Sequence, residues 1–253
     1  MSIYYLLFAF LAALAAGAVN AIAGGGTLIT FPLLTAFGLA PVVANVTNTV
    51  ALTTGLLSGT FAQRKDFEAQ KKKLFSLLPV CILGGITGGV ILLNTGERSF
   101  NALIPYLILL ASLLLAIQVP LKQWVAVYLQ KGNHKKHNPV LIYTLLFLAA
   151  IYGGYFGAGL GIILMAVLGF VIDDTLTNLN VLKQAISFSV NLSAAIYFVF
   201  SGSINWPVAS VMIVGAIIGG FIGGKLAGVI KPELLRWIIV SIGFMVALYY
   251  FVK

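Results

Sequence analysis

The sequence predicts an all-α, polytopic membrane protein made of two inverted repeats with broken or re-entrant helices, about 8 to 10 helical segments in all. Three observations carry that expectation. The 253 residues are 60% hydrophobic and only 8% charged, with a mean hydropathy of +1.07. Apolar runs of about 20 residues, each long enough to cross a bilayer, recur along the whole chain. The two halves also match at one offset. Ala23, Gly24 and Gly26 fall 135 residues before Ala158, Gly159 and Gly161, Asn45 before Asn180, Ser58 before Ser193, and "GGITGG" (84–89) before "GGFIGG" (219–224). Weak matches in the same order at a constant offset mark an internal repeat.

The elements follow in order. The opening run, "MSIYYLLFAFLAALAAGA", has no basic flank and reads as a retained first helix rather than a cleaved leader. It begins an apolar segment over 3–36 that is too long for one helix and holds Gly24, Gly25, Gly26 and Pro32. Spans are expected next at 45–63, 74–94 and 100–120. The basic stretch 121–138 then divides a first repeat (1–120) from a second (139–253). The second repeat opens on another over-long segment, 139–172, broken by Gly157, Gly159 and Gly161, and continues with spans at 180–200, 205–229 and 233–252. The two GGxxGG blocks place small residues four apart and predict tight helix packing. Tyr4, Tyr5, Trp124, Trp206, Trp237, Tyr249 and Tyr250 fall near span ends and read as interface anchors.

Charge sets the expected orientation. The net charge of +9 is concentrated in a few connections. "RKDFEAQKKK" (64–73) is strongly basic, while its counterpart in the second half, "SGSIN" (201–205), is uncharged. The next pair reverses the bias: "NTGERS" (94–99) is balanced, and 225–236 carries Lys225, Lys231 and Arg236 against Glu233. Corresponding connections prefer opposite sides, which is the signature of inverted topology. The basic clusters read as cytoplasmic loops, not as a nucleic-acid surface. Parity then requires 3–36 and 139–172 each to start and finish on one side. Both termini are expected outside a bacterial or archaeal plasma membrane. The glycine breaks must face the protein interior, because irregular backbone at membrane depth is tolerated only there.

"AGAVNAIAGGGTLITFPLL" (16–34), "ANVTNTVAL" (44–52), "GGITGG" and the weaker second copy "YGGYFGAGLG" (152–161) give the chain a resemblance to the TauE/SafE family of membrane permeases, often called sulfite exporters. The second copy lacks contiguous glycines and has Val167 at the place of Pro32. The resemblance covers nearly the whole chain. It implies transport of small sulfur-containing anions such as sulfite, sulfonates or thiosulfate, with the lipid bilayer and a second copy of the chain as the other candidate partners.

The candidate site residues fall in three groups. A helix starting just after Gly24, Gly25 and Gly26 would present free backbone N–H groups, with Thr27 adding a hydroxyl, and Gly157, Gly159 and Gly161 would do the same in the second half. Close helix packing is the competing reading of both blocks. Asn48 and Thr49 align with Lys183 and Gln184, and amides, hydroxyls and an ammonium are suited to anion oxygens. Lys183 could instead snorkel or pair with Asp173 or Asp174. Gln184, Ser187 and Asn191 share a helix face with Lys183, and Asn20 and Asn191 are candidate pore-lining amides. Asn45 and Asn180 are expected to cap the helices that follow them.

All six acidic residues, Asp66, Glu68, Glu97, Asp173, Asp174 and Glu233, lie in or beside connections, so no carboxylate proton relay is expected within a span. Cys81 is the single cysteine and both histidines are in the basic stretch, which leaves no metal or thiolate cluster. No cofactor, enzyme chemistry or nucleotide hydrolysis is expected. The function this predicts is an anion permease working by alternating access, most simply an exporter. An anion channel and a non-transporting assembly or lipid-handling protein are the alternatives.

Overall fold

The computed structural model describes residues 3–22, 24–62, 64–130, 138–226 and 232–252. Ala23, Lys131, His134, Lys135, Lys136, His137 and Lys231 lie outside them. Eleven α-helices occur among the described residues: α1 (Ile3–Ile22), α2 (Thr27–Ala36), α3 (Pro41–Ala62), α4 (Arg64–Thr95), α5 (Glu97–Ala116), α6 (Gln118–Gln130), α7 (Pro139–Tyr155), α8 (Leu160–Val171), α9 (Leu176–Phe200), α10 (Trp206–Leu226) and α11 (Pro232–Val252). Helices α1, α4, α5, α10 and α11 are long and apolar enough to cross a membrane. α3 and α9 have 22 and 25 residues but are diluted by Asn, Thr, Ser and Lys. They pack on each other.

Several expected boundaries move. The basic stretch 64–73 is not a loop; it forms the first turns of α4. Likewise 121–130 is helical and belongs to α6. α9 starts four residues earlier than expected because Thr175, not Asn180, is its cap and accepts from the Asn178 N–H at 3.2 Å. Asn45 is inside α3, not before it, and its amide donates to the Tyr155 carbonyl at 2.8 Å.

The two over-long segments both break and return. Gly24 and Gly25 (φ 83° and 92°) separate α1 from α2, and Gly157 and Gly159 (φ 77° and 79°) separate α7 from α8. These left-handed conformations favour glycine, which is what lets each segment turn there. α2 has 10 residues and α8 has 12. They are about 15 and 18 Å long, well short of the roughly 30 Å of a bilayer core. Each returns toward the end where its segment began. Tyr5, near the start of α1, stacks edge-on against Phe37 after α2, with ring centroids 5.1 Å apart. Ser76 and Tyr143 share a hydrogen bond of 2.9 Å, and Lys73 pairs with Asp174, so the start of α7 and the end of α8 both lie beside the start of α4. That end of the molecule carries Lys71, Lys72 and Lys73 and is called the basic end below.

The helices after the two breaks start 133 residues apart, at Thr27 and Leu160, while α3 and α9 start 135 apart, at Pro41 and Leu176. The break in the second half therefore sits two residues earlier than the sequence match suggests. Gly159, not Gly161, occupies the place of Gly26, and Gly161 lies inside α8.

Packing is extensive between α1 and α10, α4 and α7, α3 and α10, and α4 and α9. Adding six to the helix number in the first half and subtracting six in the second turns the first pair into the second and the third into the fourth. Glycines make these contacts close. A Cβ on Gly223 would lie 2.5 Å from the Ala18 carbonyl oxygen, and one on Gly84 would lie 2.8 Å from that of Phe147. The GGxxGG blocks are thus backbone-to-backbone seams, as small residues are in helix pairs in lipid.

Candidate functional site

Both breaks open into one cavity of about 700 Å³. Its walls come from the ends of α1 and α2 (Asn20, Gly24, Gly25, Thr27), the middle of α3 (Thr49, Leu52, Leu56) and the α7–α8 turn (Phe156 to Gly161). The α9 face (Asn180, Lys183, Gln184, Ser187, Asn191), the α5–α6 junction (Leu115, Gln118, Leu121, Lys122) and the last turns of α10 (Gly220, Phe221, Lys225) complete it. Of the residues expected from sequence, Asn20, Gly24, Gly25, Thr27, Thr49, Gly157, Gly159, Gly161, Lys183, Gln184, Ser187 and Asn191 are brought together here. Gly26 and Asn48 are not among the lining residues.

The reason lies in the local bonding of α2. The Gly26 N–H donates to the Asn20 Oδ1 at 2.7 Å. A Cβ on Gly26 would sit 2.6 Å from the Ala16 carbonyl oxygen and 2.9 Å from the Asn20 amide, so this glycine is packed under the end of α1. The N–H groups of Leu28 and Ile29 donate to the carbonyls of Gly25 and Gly26, both at 3.0 Å. Asn48 is buried and accepts the Thr30 hydroxyl, which ties α3 to α2. Asn48 thus joins α2 to α3 and does not itself line the cavity.

The other side is less self-satisfied. Asn180, Lys183, Gln184, Ser187 and Asn191 recur at helical spacing and form one polar stripe on α9. The Lys183 Nζ donates to the Asn180 Oδ1 at 2.7 Å. The Asn191 amide donates back to the Ser187 carbonyl at 2.8 Å. Opposite them, the Tyr152 hydroxyl donates to the Ala158 carbonyl at 2.6 Å and holds the turn before α8. Tyr152 was not expected from sequence; a tyrosine in an apolar helix gives no periodic signal of its own.

Asp174, a candidate partner of Lys183, is engaged elsewhere. It accepts from Lys73, Asn178, the Thr175 N–H and, at 3.2 Å, Gln70. Partial burial pushes its carboxyl up, but the hydrogen bonds and the Lys73 charge outweigh this and hold it below its ordinary value. Lys122 and Lys225 also line the cavity. Sequence reasoning assigned both to solvated basic connections, because a lysine near a span end looks the same whether it points to water or into a vestibule.

A second cavity of about 340 Å³ lies toward the opposite end, lined by Thr35, Leu39, Pro41, Glu97, Arg98, Asn101 and Tyr250. Four rings lie between the two, with Phe31, Phe100 and Phe156 buried and Tyr155 half-buried. Phe156 meets Phe31 edge-on at 5.5 Å, Phe31 meets Phe100 at 6.3 Å, and Phe100 meets Tyr155 at 5.7 Å. Two of the expected interface aromatics belong to this end but face inward: Tyr5 is buried against Phe37, and the Tyr250 hydroxyl donates to the Thr35 Oγ1 at 2.6 Å. Arg236, counted as a loop charge in the sequence, is buried within α11 beside the Trp237 ring, at 5.5 Å.

Comparison with known proteins places these features in context. The model of the family "Sulfite exporter TauE/SafE" matches residues 9–250. A probable membrane transporter protein, ORF9, from Sinorhizobium sp is 28% identical, with 98% of this chain and 94% of that protein covered. Another from Haemophilus influenzae is 27% identical over 95% of this chain and 92% of the relative. YfcA of Escherichia coli K12, also a probable membrane transporter protein, is 25% identical over 92% of this chain and 85% of its own length.

Proposed function

Since the chain belongs to the sulfite exporter TauE/SafE family and is a multi-pass membrane transporter, not an enzyme, we propose that it moves a small sulfur-containing anion, of the sulfite, sulfonate or thiosulfate class, out of the cell by alternating access. The observation that carries this reading is the cavity itself. Two helix breaks from opposite halves of the chain share one space with Lys122, Lys183 and Lys225. Helix starts and lysines are both suited to an anion, and the family supplies its chemical class.

The reading includes an orientation. The basic end, with α4's first turns and the 121–138 segment, faces the cytoplasm, and both termini lie outside. The two repeats are 1–120 and 139–253, a division supported by the residue matches and by the packing pairs that exchange under it. The large cavity is then loaded from the cytoplasm. The ring cluster of Phe31, Phe100, Tyr155 and Phe156 closes the way to the smaller cavity until the molecule rearranges. An inside-negative potential drives each negative charge outward by about 2.3 kcal/mol per 100 mV. For a divalent anion that is about twice as much, more than a thousandfold in concentration ratio. Export therefore needs no coupling ion.

The test is flux in proteoliposomes across sulfite, thiosulfate, methanesulfonate and chloride. Saturable flux of a sulfur anion with counterflow, and no comparable chloride flux, is the expected result. Unsaturable flux would indicate a channel, and no flux of any sulfur anion would overturn the reading.

A further inference from the structure

We propose that the negatively charged head of the solute docks at the α8 end of the cavity, on Ser187, Lys183 and the N–H groups that open α8, and that the α2 end is closed by the protein's own amide. This assignment of the subsite rests on the cavity being the solute site.

Ser187 is the first observation. It lines the cavity, is only 9% exposed, and its Oγ has no hydrogen-bond partner. Serines inside helices usually return their hydroxyl to the preceding turn. Ser189 and Ser193, on the same helix, do so, donating to Ala185 and Val190 at 2.8 and 2.9 Å. Ser187 does not, so a buried donor is left for something that is not protein.

The second observation is the space in front of it. A Cβ built on Gly161 would be 3.8 Å from the Lys183 Cδ and 4.0 Å from the Ser187 Oγ. Gly161, Lys183 and Ser187 therefore surround one small volume at the start of α8. The carbonyls of Gly157 and Gly159 are used by Leu160, Ile162 and Ile163 N–H groups, whereas Ala158, Gly159 and Gly161 have N–H groups with no partner among the described residues. A sulfur oxyanion offers several oxygens to such an array: one for the hydroxyl, one for the ammonium, one for the helix start. The Lys183 ammonium gives one of its three protons to Asn180 and keeps two.

The α2 end differs in kind. There the Asn20 Oδ1 already accepts the Gly26 N–H at 2.7 Å. An amide oxygen occupies the seat that an anion would take, and a Cβ at Gly26 would strike that same amide. The two breaks are alike in backbone and unlike at the cap: the Gly26 N–H is latched to α1, leaving those of Gly25 and Thr27, whereas the equivalent Gly159 N–H is open beside those of Ala158 and Gly161.

Gly161→Ala gives a clean test, because Gly161 has no positive φ and its new methyl meets only ordinary contacts at 3.8 and 4.0 Å. Alanine in a helix should hold or raise the melting temperature while filling the oxyanion's place. Sulfite binding to the purified full chain in detergent is the readout, with chloride as control. Gly161→Ala and Ser187→Ala should each weaken sulfite by about tenfold or more with the Tm unchanged. Lys183→Gln should weaken it and flatten its salt dependence, and Lys183→Arg should restore part of both. Asn20→Ala and Thr27→Ala, at the other end of the same cavity, should weaken sulfite less than Ser187→Ala does, and Ser189→Ala, whose hydroxyl is bonded to Ala185 on the same helix, should stay within about twofold of the parent. Wild-type affinity in folded Gly161→Ala and Ser187→Ala proteins, or a loss that falls on Asn20→Ala instead, would overturn the subsite while leaving the cavity as the solute site. If the unmodified protein binds none of sulfite, thiosulfate and methanesulfonate, the reading of the cavity falls and the subsite with it.

Discussion

At the scale of single residues, similar amides have been put to different uses. Asn20 latches the Gly26 N–H, Asn45 ties α3 to the end of α7, Asn48 accepts from Thr30, and Asn191 bonds back within α9. Asn48→Ala should therefore act on stability. Interhelical hydrogen bonds in membrane proteins are worth about 0.6 to 2 kcal/mol, so the variant should melt a few degrees lower and bind sulfite normally. A loss of affinity without a loss of Tm would return Asn48 to the solute site. Lys122 and Lys225 should behave in the opposite way. Exchanging either for Gln removes positive charge from the vestibule, at Lys225 together with its contact on the Phe221 ring at 4.3 Å, so entry into the cavity should slow at low salt and converge with the parent near 1 M, where charges more than about 3 Å apart are screened.

At the scale of elements, the α4–α7 and α1–α10 seams set what the helices can do. A Cβ on Gly88 would collide with the Ile151 carbonyl, with the Tyr155 N only 2.8 Å away. Gly88→Ala should lower thermal stability and leave the affinity of the surviving folded protein unchanged; a folded variant with wild-type Tm would show that α4 and α7 can separate at little cost. The ring cluster between the cavities makes a different prediction. Phe100 is fully buried and bridges Phe31 and Tyr155. Phe100→Ala removes that bridge, and large aromatic truncations in a core cost about 3–5 kcal/mol. The closed arrangement should lose most of this, so the variant should show faster, less saturable sulfite efflux from proteoliposomes. Unchanged kinetics in a folded variant would place the barrier elsewhere.

At the scale of the whole molecule, orientation and anchoring are testable together. In a Cys81→Ser background, a cysteine at Lys72 or His134 should resist an impermeant reagent added to intact cells, and Ser201→Cys should label. The reverse pattern would invert the proposed topology. Efflux should accelerate with a more negative interior and persist when only the pH gradient is collapsed; its loss at clamped potential would establish proton coupling. Asp174 fastens the α8–α9 connection to the start of α4. Its carboxyl is held below the ordinary value, so the stabilisation is present above the ordinary carboxylate range and is lost as pH falls through the folded value. The Tm gap between the parent and Asp174→Asn should be widest near neutral pH and close on acidification. A gap that does not change with pH would assign the effect to packing.

Much of this was legible in the chain itself. Composition determined the membrane class, because spans of this hydropathy have no other solvent. The charge asymmetry between 64–73 and 201–205 and the glycines in 3–36 and 139–172 determined that each long segment must turn back, since positive φ is cheap only for glycine. The tertiary structure decided which of the expected residues meet. Asn48 and Thr49 are adjacent in sequence, yet Thr49 lines the cavity and Asn48 is spent on Thr30, because consecutive residues on a helix point about 100° apart and only packing selects the inward one. The sequence offset paired Gly26 with Gly161, whereas the helix starts pair Gly26 with Gly159 and leave Gly161 inside α8 facing Lys183 and Ser187. A two-residue shift within a repeat leaves no trace in hydropathy. It becomes visible only when the turn closes and neighbouring helices fix which backbone groups are satisfied by the chain and which are not.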